Sequence, residues 1–109
     1  MTKPMEYKYK TAFIMKVGRT AMNANQDQFS KMLGVAKTTV ARYETGEMEL
    51  NSSTLLKAIE LFKEYGIHVD PLNDQVEFKF EQKAIDKLES DLKNIDQRRS
   101  DYKVRRPKE

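Results

Sequence analysis

Cysteine is absent from the 109 residues, which removes disulfides, thiol catalysis and cysteine-ligated zinc or iron–sulfur sites in one step. Histidine occurs once, as His68, so neither a histidine-rich metal site nor a histidine pair for catalysis can be assembled. No metal and no cofactor is expected. Long apolar tracts are also missing, and no segment reads as a membrane span. The opening residues, MTKPMEYKYK, lack the apolar centre of a secretory signal, which makes the cytoplasm the expected location. Only three prolines occur, Pro4, Pro71 and Pro107, so a single one punctuates the middle of the chain. No Gly-rich loop is present to cradle a phosphate. The carboxylate pairs Glu47/Glu49 and Glu89/Asp91 are two residues apart and diverge on a helix, which denies them acid/base work. A chain this short buries one modest core and has no room for a large multi-layer enzyme fold. No enzyme is expected, and neither a self-cleaving peptidase domain nor a small-molecule sensor domain fits.

What is present is charge. Charged residues make up 34% and apolar residues 39%, with 20 Lys/Arg against 17 acids and a net charge of +3. That excess permits an anionic partner without demanding one. Its layout is uneven. Residues 1–50 carry eight Lys/Arg against five acids, residues 51–80 three against five, and residues 81–109 nine against seven. Residues 100–109 read as a basic, flexible tail.

Hydrophobic periodicity organises the rest. Phe13, Ile14, Val17 and Ala21 recur at helical spacing and predict a helix over about 7–22, with Gly18 weakening it by about 1 kcal/mol relative to Ala. Asn25 is placed to cap a second helix starting at Gln26, with Phe29, Met32 and Leu33 facing inward and Gly34 ending it. A third helix spans about Lys37 to Tyr43 around Val40, and Thr45-Gly46 ends it. After a loop, Asn51, Ser52 and Ser53 compete to cap a fourth helix with the stripe Leu55, Leu56, Ile59 and Phe62, closed by Gly66. The period then changes to two. Ile67 and Val69, a turn at Pro71–Asp74, and Val76, Phe78 and Phe80 predict a hairpin, within which His68 reads as a partly exposed structural residue. Ile85, Leu88, Leu92 and Ile95 return to a 3-4-3 spacing on a helix over 81–99, the rhythm of a coiled-coil seam.

The chemistry sits in two short helices around Gly34. Ala36, Lys37, Thr38, Thr39 and Arg42 are short or polar, the types that suit a helix face in a major groove. There Arg and Lys pair with guanine edges, and Thr can bond a base or touch a thymine methyl. Gln26 opens the preceding helix, where free N–H groups favour a phosphate. The run Gln26-Asp-Gln-Phe-Ser-Lys-Met-Leu-Gly-Val-Ala-Lys-Thr-Thr-Val-Ala-Arg-Tyr-Glu-Thr-Gly46 resembles the helix-turn-helix of the lambda-repressor/Cro (XRE) superfamily. The likeness runs in register from about Thr11 to Gly66, with Arg19, Gln26, Gly34-Val35, Val40 and Tyr43-Glu44-x-Gly46 at the family's positions.

The resemblance implies a mainly α fold, a lambda-repressor-like helical domain followed by a β-hairpin and a C-terminal helix. It places Lys37, Thr38, Thr39 and Arg42 at base-reading positions, Gln26, Ala36 and Thr45 at phosphate positions, and Arg19 with Glu44 as a structural pair. The sequence departs from the family at Ala24, where a larger apolar residue is usual, at Ser30, at Ala36 as a weak N-cap, and in the loop after Gly46. That loop carries Glu47 and Glu49 and no proline, which shifts backbone contact toward the termini.

One helix-turn-helix covers few base pairs, so such domains commonly bind as two-fold dimers on inverted repeats. The expected division is therefore 1–66 for DNA, 67–99 for dimerisation through Val76, Phe78, Phe80, Ile85, Leu88, Leu92 and Ile95, and 100–109 as tail. The leading expectation is a dimeric repressor of a phage, plasmid or other mobile-element promoter, binding double-stranded DNA as an inverted-repeat operator. An antitoxin that binds its own operator, with a toxin or antirepressor as protein partner, is the alternative. An interaction module that no longer binds DNA is a third.

Overall fold

The computed structural model describes the backbone of residues 6–105 and the side chains of residues 6–94. Five helices and a two-stranded sheet follow in the order α1 (Tyr7–Ala21), α2 (Gln26–Leu33), α3 (Lys37–Thr45), α4 (Ser52–Glu64), β1 (Ile67–Val69), β2 (Phe78–Phe80) and α5 (Gln82–Arg105). The architecture is the mainly helical one expected: a helix-turn-helix core, an antiparallel hairpin and a C-terminal helix.

Local chemistry sets the helix ends. Asn23 takes a left-handed conformation, φ 59°, tolerable for Asn because its side chain can bond nearby backbone, and this turns the chain out of α1. Asn25 and Gln28 form a reciprocal capping box at the start of α2. The Gln28 N–H donates to Asn25 Oδ1 at 2.7 Å, and the Asn25 N–H donates to Gln28 Oε1 at 2.9 Å. Gly34, φ 76°, closes α2 with its N–H on the Ser30 carbonyl at 2.8 Å. Of the three candidate caps for α4, Asn51 takes the position, accepting from the Thr54 N–H at 2.8 Å.

The core is one cluster drawn from α1 to α4, β1 and the first turn of α5, and Phe29 and Phe62 stack at its centre with ring centroids 5.9 Å apart. Its α1 face differs from the expected one. Thr11, Ala12, Ile14, Met15 and Gly18 are buried, while Phe13 is 49% exposed and Val17 and Ala21 are half-buried. Gly18 has a structural reason to be there: a Cβ at this position would lie 2.2 Å from Phe62 Cζ. The helix gives up some intrinsic stability so that α4's central ring can close onto α1. Met32 and Leu56, expected in the core, lie on the surface, because α2 and α4 each bury a narrower stripe than the run of apolar residues suggests.

The hairpin pairs Ile67 with Phe80, His68 with Lys79 and Val69 with Phe78. It is shorter than expected, and Val76 falls outside the strand, half-buried against the core. Ile67 and Val69 are 1% and 8% exposed and belong to the same cluster as the first four helices. The core therefore continues across residue 66. Helix α5 runs to Arg105, beyond the expected end at 99, and residues 106–109 of the basic stretch lie outside the described residues. Among the described residues, no helix is long and apolar enough to cross a membrane.

Candidate nucleic-acid interface

Helix α3 buries Val40 and Tyr43 and turns its other side outward. Lys37, Thr38 and Arg42 are exposed and Thr39 is half-buried. Thr38 and Arg42 are four residues apart and so share one face, with Lys37 beside them on the same turn. Ala36 sits at the N-cap in an extended conformation and supplies no side-chain cap; the Thr39 N–H donates to the Ala36 carbonyl at 3.0 Å, while Lys37 and Thr38 precede the first intrahelical bond. This end of α3 meets α2 across the Gly34 turn. There Lys57, reaching over from α4, donates to the Leu33 carbonyl at 2.7 Å. Sequence reasoning missed that cap, since nothing in a lone lysine of an amphipathic helix marks which carbonyl it will reach.

The far end of α3 is tied to α1 by a fork. Arg19 donates from Nε to Glu44 Oε2 at 2.6 Å and from Nη2 to Glu44 Oε1 at 3.0 Å. Its third nitrogen, Nη1, donates to the Ala24 carbonyl at 2.8 Å. The Glu44 side chain is 3% exposed and that of Arg19 15%. A planar guanidinium against a carboxylate in this bidentate arrangement fixes direction as well as distance. One residue thereby orients the end of α3, the end of α1 and the turn into α2. Gln26 joins the same network: its Nε2 donates to Glu44 Oε1 at 3.2 Å, so its amide is engaged from within the protein. The Thr45 hydroxyl is also occupied, donating to the Arg42 carbonyl at 3.2 Å.

Beyond α3 the chain turns sharply at Gly46, φ 77°, against the ring of Tyr9. The acidic loop then returns along the helix end. Glu47 Oε1 comes to 3.9 Å from Arg42 Nε, both side chains more than half exposed. Sequence inspection marked Glu47 as a departure from the family and as half of a carboxylate pair without acid/base work; the αL glycine just before it is the signal that the loop folds back.

The C-terminal candidates lie elsewhere. Phe80, Ile85 and Leu92 are 38%, 43% and 60% exposed, Val76, Phe78 and Leu88 are half-buried, and the side chain of Ile95 lies outside the described residues. Helix α5 buries Ala84 instead, and its neighbouring apolar face continues onto α1. Phe13, Val17, Ala21, Phe80 and Leu88 line one open groove between them. A separate groove, sharing no lining residue with it, lies between α4 and the hairpin with Tyr7, Leu56 and Leu72 on its walls.

Residues 16–67 match the helix-turn-helix family model. This segment is a helix-turn-helix domain. The match is to a family of DNA-binding transcriptional regulators of the lambda-repressor kind, and it covers α1 from its third turn through the start of β1. No curated protein matches the chain. The matched segment contains α2, the Gly34 turn and α3, with Lys37, Thr38 and Arg42 on the outward side of α3.

Proposed function

We propose that the chain is a sequence-specific transcriptional repressor that works as a homodimer on an inverted-repeat operator, at the promoter of a phage, plasmid or other mobile element, in the cytoplasm. The observation that carries the reading is the outward face of α3, held in direction by the Arg19–Glu44 fork. Lys37, Thr38, Thr39 and Arg42 are the base-reading set. Gln26, Ala36 and Thr45 face the phosphates, Gln26 and Thr45 through whatever capacity their internal bonds leave and Ala36 through its backbone. The division of labour is 1–66 for DNA and 67–99 for pairing, joined through one shared core, with the basic residues of 100–109 carried beyond them. No enzymatic role and no cofactor belongs to this reading.

Support for the dimer comes from apolar surface without cover. Phe13, Phe80, Ile85 and Leu92 are all more than a third exposed, more clustered apolar surface than a monomer of this size ordinarily leaves bare. Two copies related by a two-fold axis would bury it and set two α3 helices about 34 Å apart, one DNA turn. The antitoxin reading draws on one different observation, the second groove at Tyr7, Leu56 and Leu72, which the proposed pairing leaves free for another protein.

The experiment is selection of a binding site from a random DNA pool with the full chain, followed by binding and sedimentation measurements. The selected site is an inverted repeat. Arg42→Ala costs about 1–3 kcal/mol on that site and much less on random DNA. Equal losses on both DNAs would make Arg42 a phosphate contact. A monomer at micromolar concentration that still binds the repeat tightly and non-cooperatively would end the dimer reading.

A further inference from the structure

We propose that Glu47 is a positioning residue, aiming the guanidinium of Arg42 at a guanine edge and thereby setting the sequence preference of α3. This rests on the reading of Arg42 as a base contact. The backbone around Glu47 is tied to the residue its side chain faces. Gly46 reverses the chain in the left-handed region, and the Met48 N–H then donates to the Arg42 carbonyl at 3.2 Å. The Thr45 hydroxyl donates to that same carbonyl at 3.2 Å, and the Glu47 N–H donates back to Thr45 Oγ1 at 3.4 Å. The carboxylate is thus delivered to the Nε side of Arg42 at 3.9 Å.

An ion pair this exposed adds little to folding, so its consequence lies in geometry. Guanidinium presents five N–H donors in one plane. A carboxylate on the Nε side leaves the two terminal nitrogens side by side, and a guanine offers O6 and N7 side by side to receive them. Without Glu47, Arg42 must give up its rotamer freedom at the moment of contact, which weakens association. Glu47 also brings negative charge toward the phosphates, which lowers affinity for any sequence. On the operator the aiming effect prevails. On unrelated DNA only the repulsion remains. Glu47 therefore widens the gap between the two.

The test uses the full chain, the selected operator duplex and a random-sequence duplex of equal length, with Kd measured by fluorescence anisotropy. Glu47→Gln lowers operator affinity by ~2–10-fold, the loss of one preoriented side chain, while random-duplex affinity rises. Glu49→Gln, which removes an exposed carboxylate from the same loop, raises affinity for both DNAs. In an Arg42→Ala background Glu47→Gln does the same, because there is nothing left to aim. Glu47→Gln also relaxes the guanine preference when the selection is repeated. If Arg42→Ala weakens both duplexes equally, the base-reading assignment itself fails. If Arg42→Ala is operator-selective but Glu47→Gln tightens both DNAs as Glu49→Gln does, Glu47 is only a repulsive charge and the proposal is overturned.

Discussion

The fork between Arg19 and Glu44 makes a quantitative prediction about what holds α3 in place. Glu44 accepts three hydrogen bonds, two from Arg19 and one from Gln26, with its side chain almost fully out of water. Arg19→Ala leaves that carboxylate with Gln26 alone. Breaking a buried pair from one side costs about 3–5 kcal/mol, mostly because the surviving charge is stranded. Glu44→Ala strands less: Arg19 keeps its bond to the Ala24 carbonyl and more of its surface meets solvent, so the expected loss is nearer the lower end. Removing both leaves no stranded charge, and the double variant should be more stable than the sum of the single losses implies. The coupling should fall at about 1–3 kcal/mol. In a domain of this size each 1 kcal/mol moves the melting point by about 4–8 °C, so Arg19→Ala should melt about 12–40 °C early. Urea denaturation of the four proteins in the cycle measures this. A coupling indistinguishable from zero would refute the reasoning, since it would mean that each group finds water or another partner as readily as it finds the other.

Gly18→Ala should destabilise by about 1–3 kcal/mol despite the better helix former it introduces, because the new methyl meets the Phe62 ring; a denaturation curve shifted to higher urea would contradict that packing. Ile67→Ala should cost about 2–5 kcal/mol by opening a void in the shared core, and a chain cut after Gly66 should lose stability for the same reason, both read by thermal melts. Glu81 Oε2 lies 2.5 Å from His68 Nε2, and this hydrogen bond outweighs the opposing effect of desolvation and, with a lesser contribution from the charge of Lys83, holds the carboxyl below the ordinary value of 4.5. Depression of an acid's pKa means stability that is present above 4.5 and lost as pH falls through the lower folded value. The stability–pH profile below 4.5 should therefore be flatter in Glu81→Gln than in the parent, and parallel profiles would exclude the linkage.

Capping chemistry made the helix boundaries legible. Asn25, Gly34, Gly46 and Asn51 each stand where a terminus needs that residue, and α2, α3 and α4 begin at or within a residue of the expected positions. The buried face of α1 was legible only at Ile14, and the reason is specific. Two stripes on this helix share the four-residue spacing, Phe13-Val17-Ala21 and Ile14-Gly18-Met22. The first looks more hydrophobic, but the second is the core, because glycine admits the Phe62 ring and scores as nothing on a hydropathy pattern. Long-range polar contacts divide in the same way. Arg19 and Glu44 stood out because a whole motif placed them, whereas Lys57 on the Leu33 carbonyl and Lys87 on the Met22 carbonyl follow from where helices cross. Glu47 stood between these cases: its charge was visible as a departure, while its approach to Arg42 depends on the turn at Gly46.

How the C-terminal region joins the helix-turn-helix bears directly on what a dimer could read. A pairing helix on a slack linker would let two α3 helices take many separations, and an operator of fixed spacing would gain little from the second. The attachment here is short and bonded. The Glu81 N–H donates to the Gly66 carbonyl at 2.8 Å, Ala84 enters the core, and Lys87 reaches the Met22 carbonyl at 3.3 Å while pairing with Asp91 at 2.8 Å. Lys87, and after it Asn23, hold the Asp91 carboxyl below its ordinary range, and α5 grips through the Met22 carbonyl the same α1–α2 turn that Arg19 grips through the Ala24 carbonyl. With α5 and α3 both referred to that turn, any two-fold contact made through α5 dictates one distance and one relative orientation for the pair of recognition helices. In such a dimer half-site spacing would be a property of this turn as much as of the pairing surface, and changes at Lys87 or Asp91 would act on operator geometry without touching either.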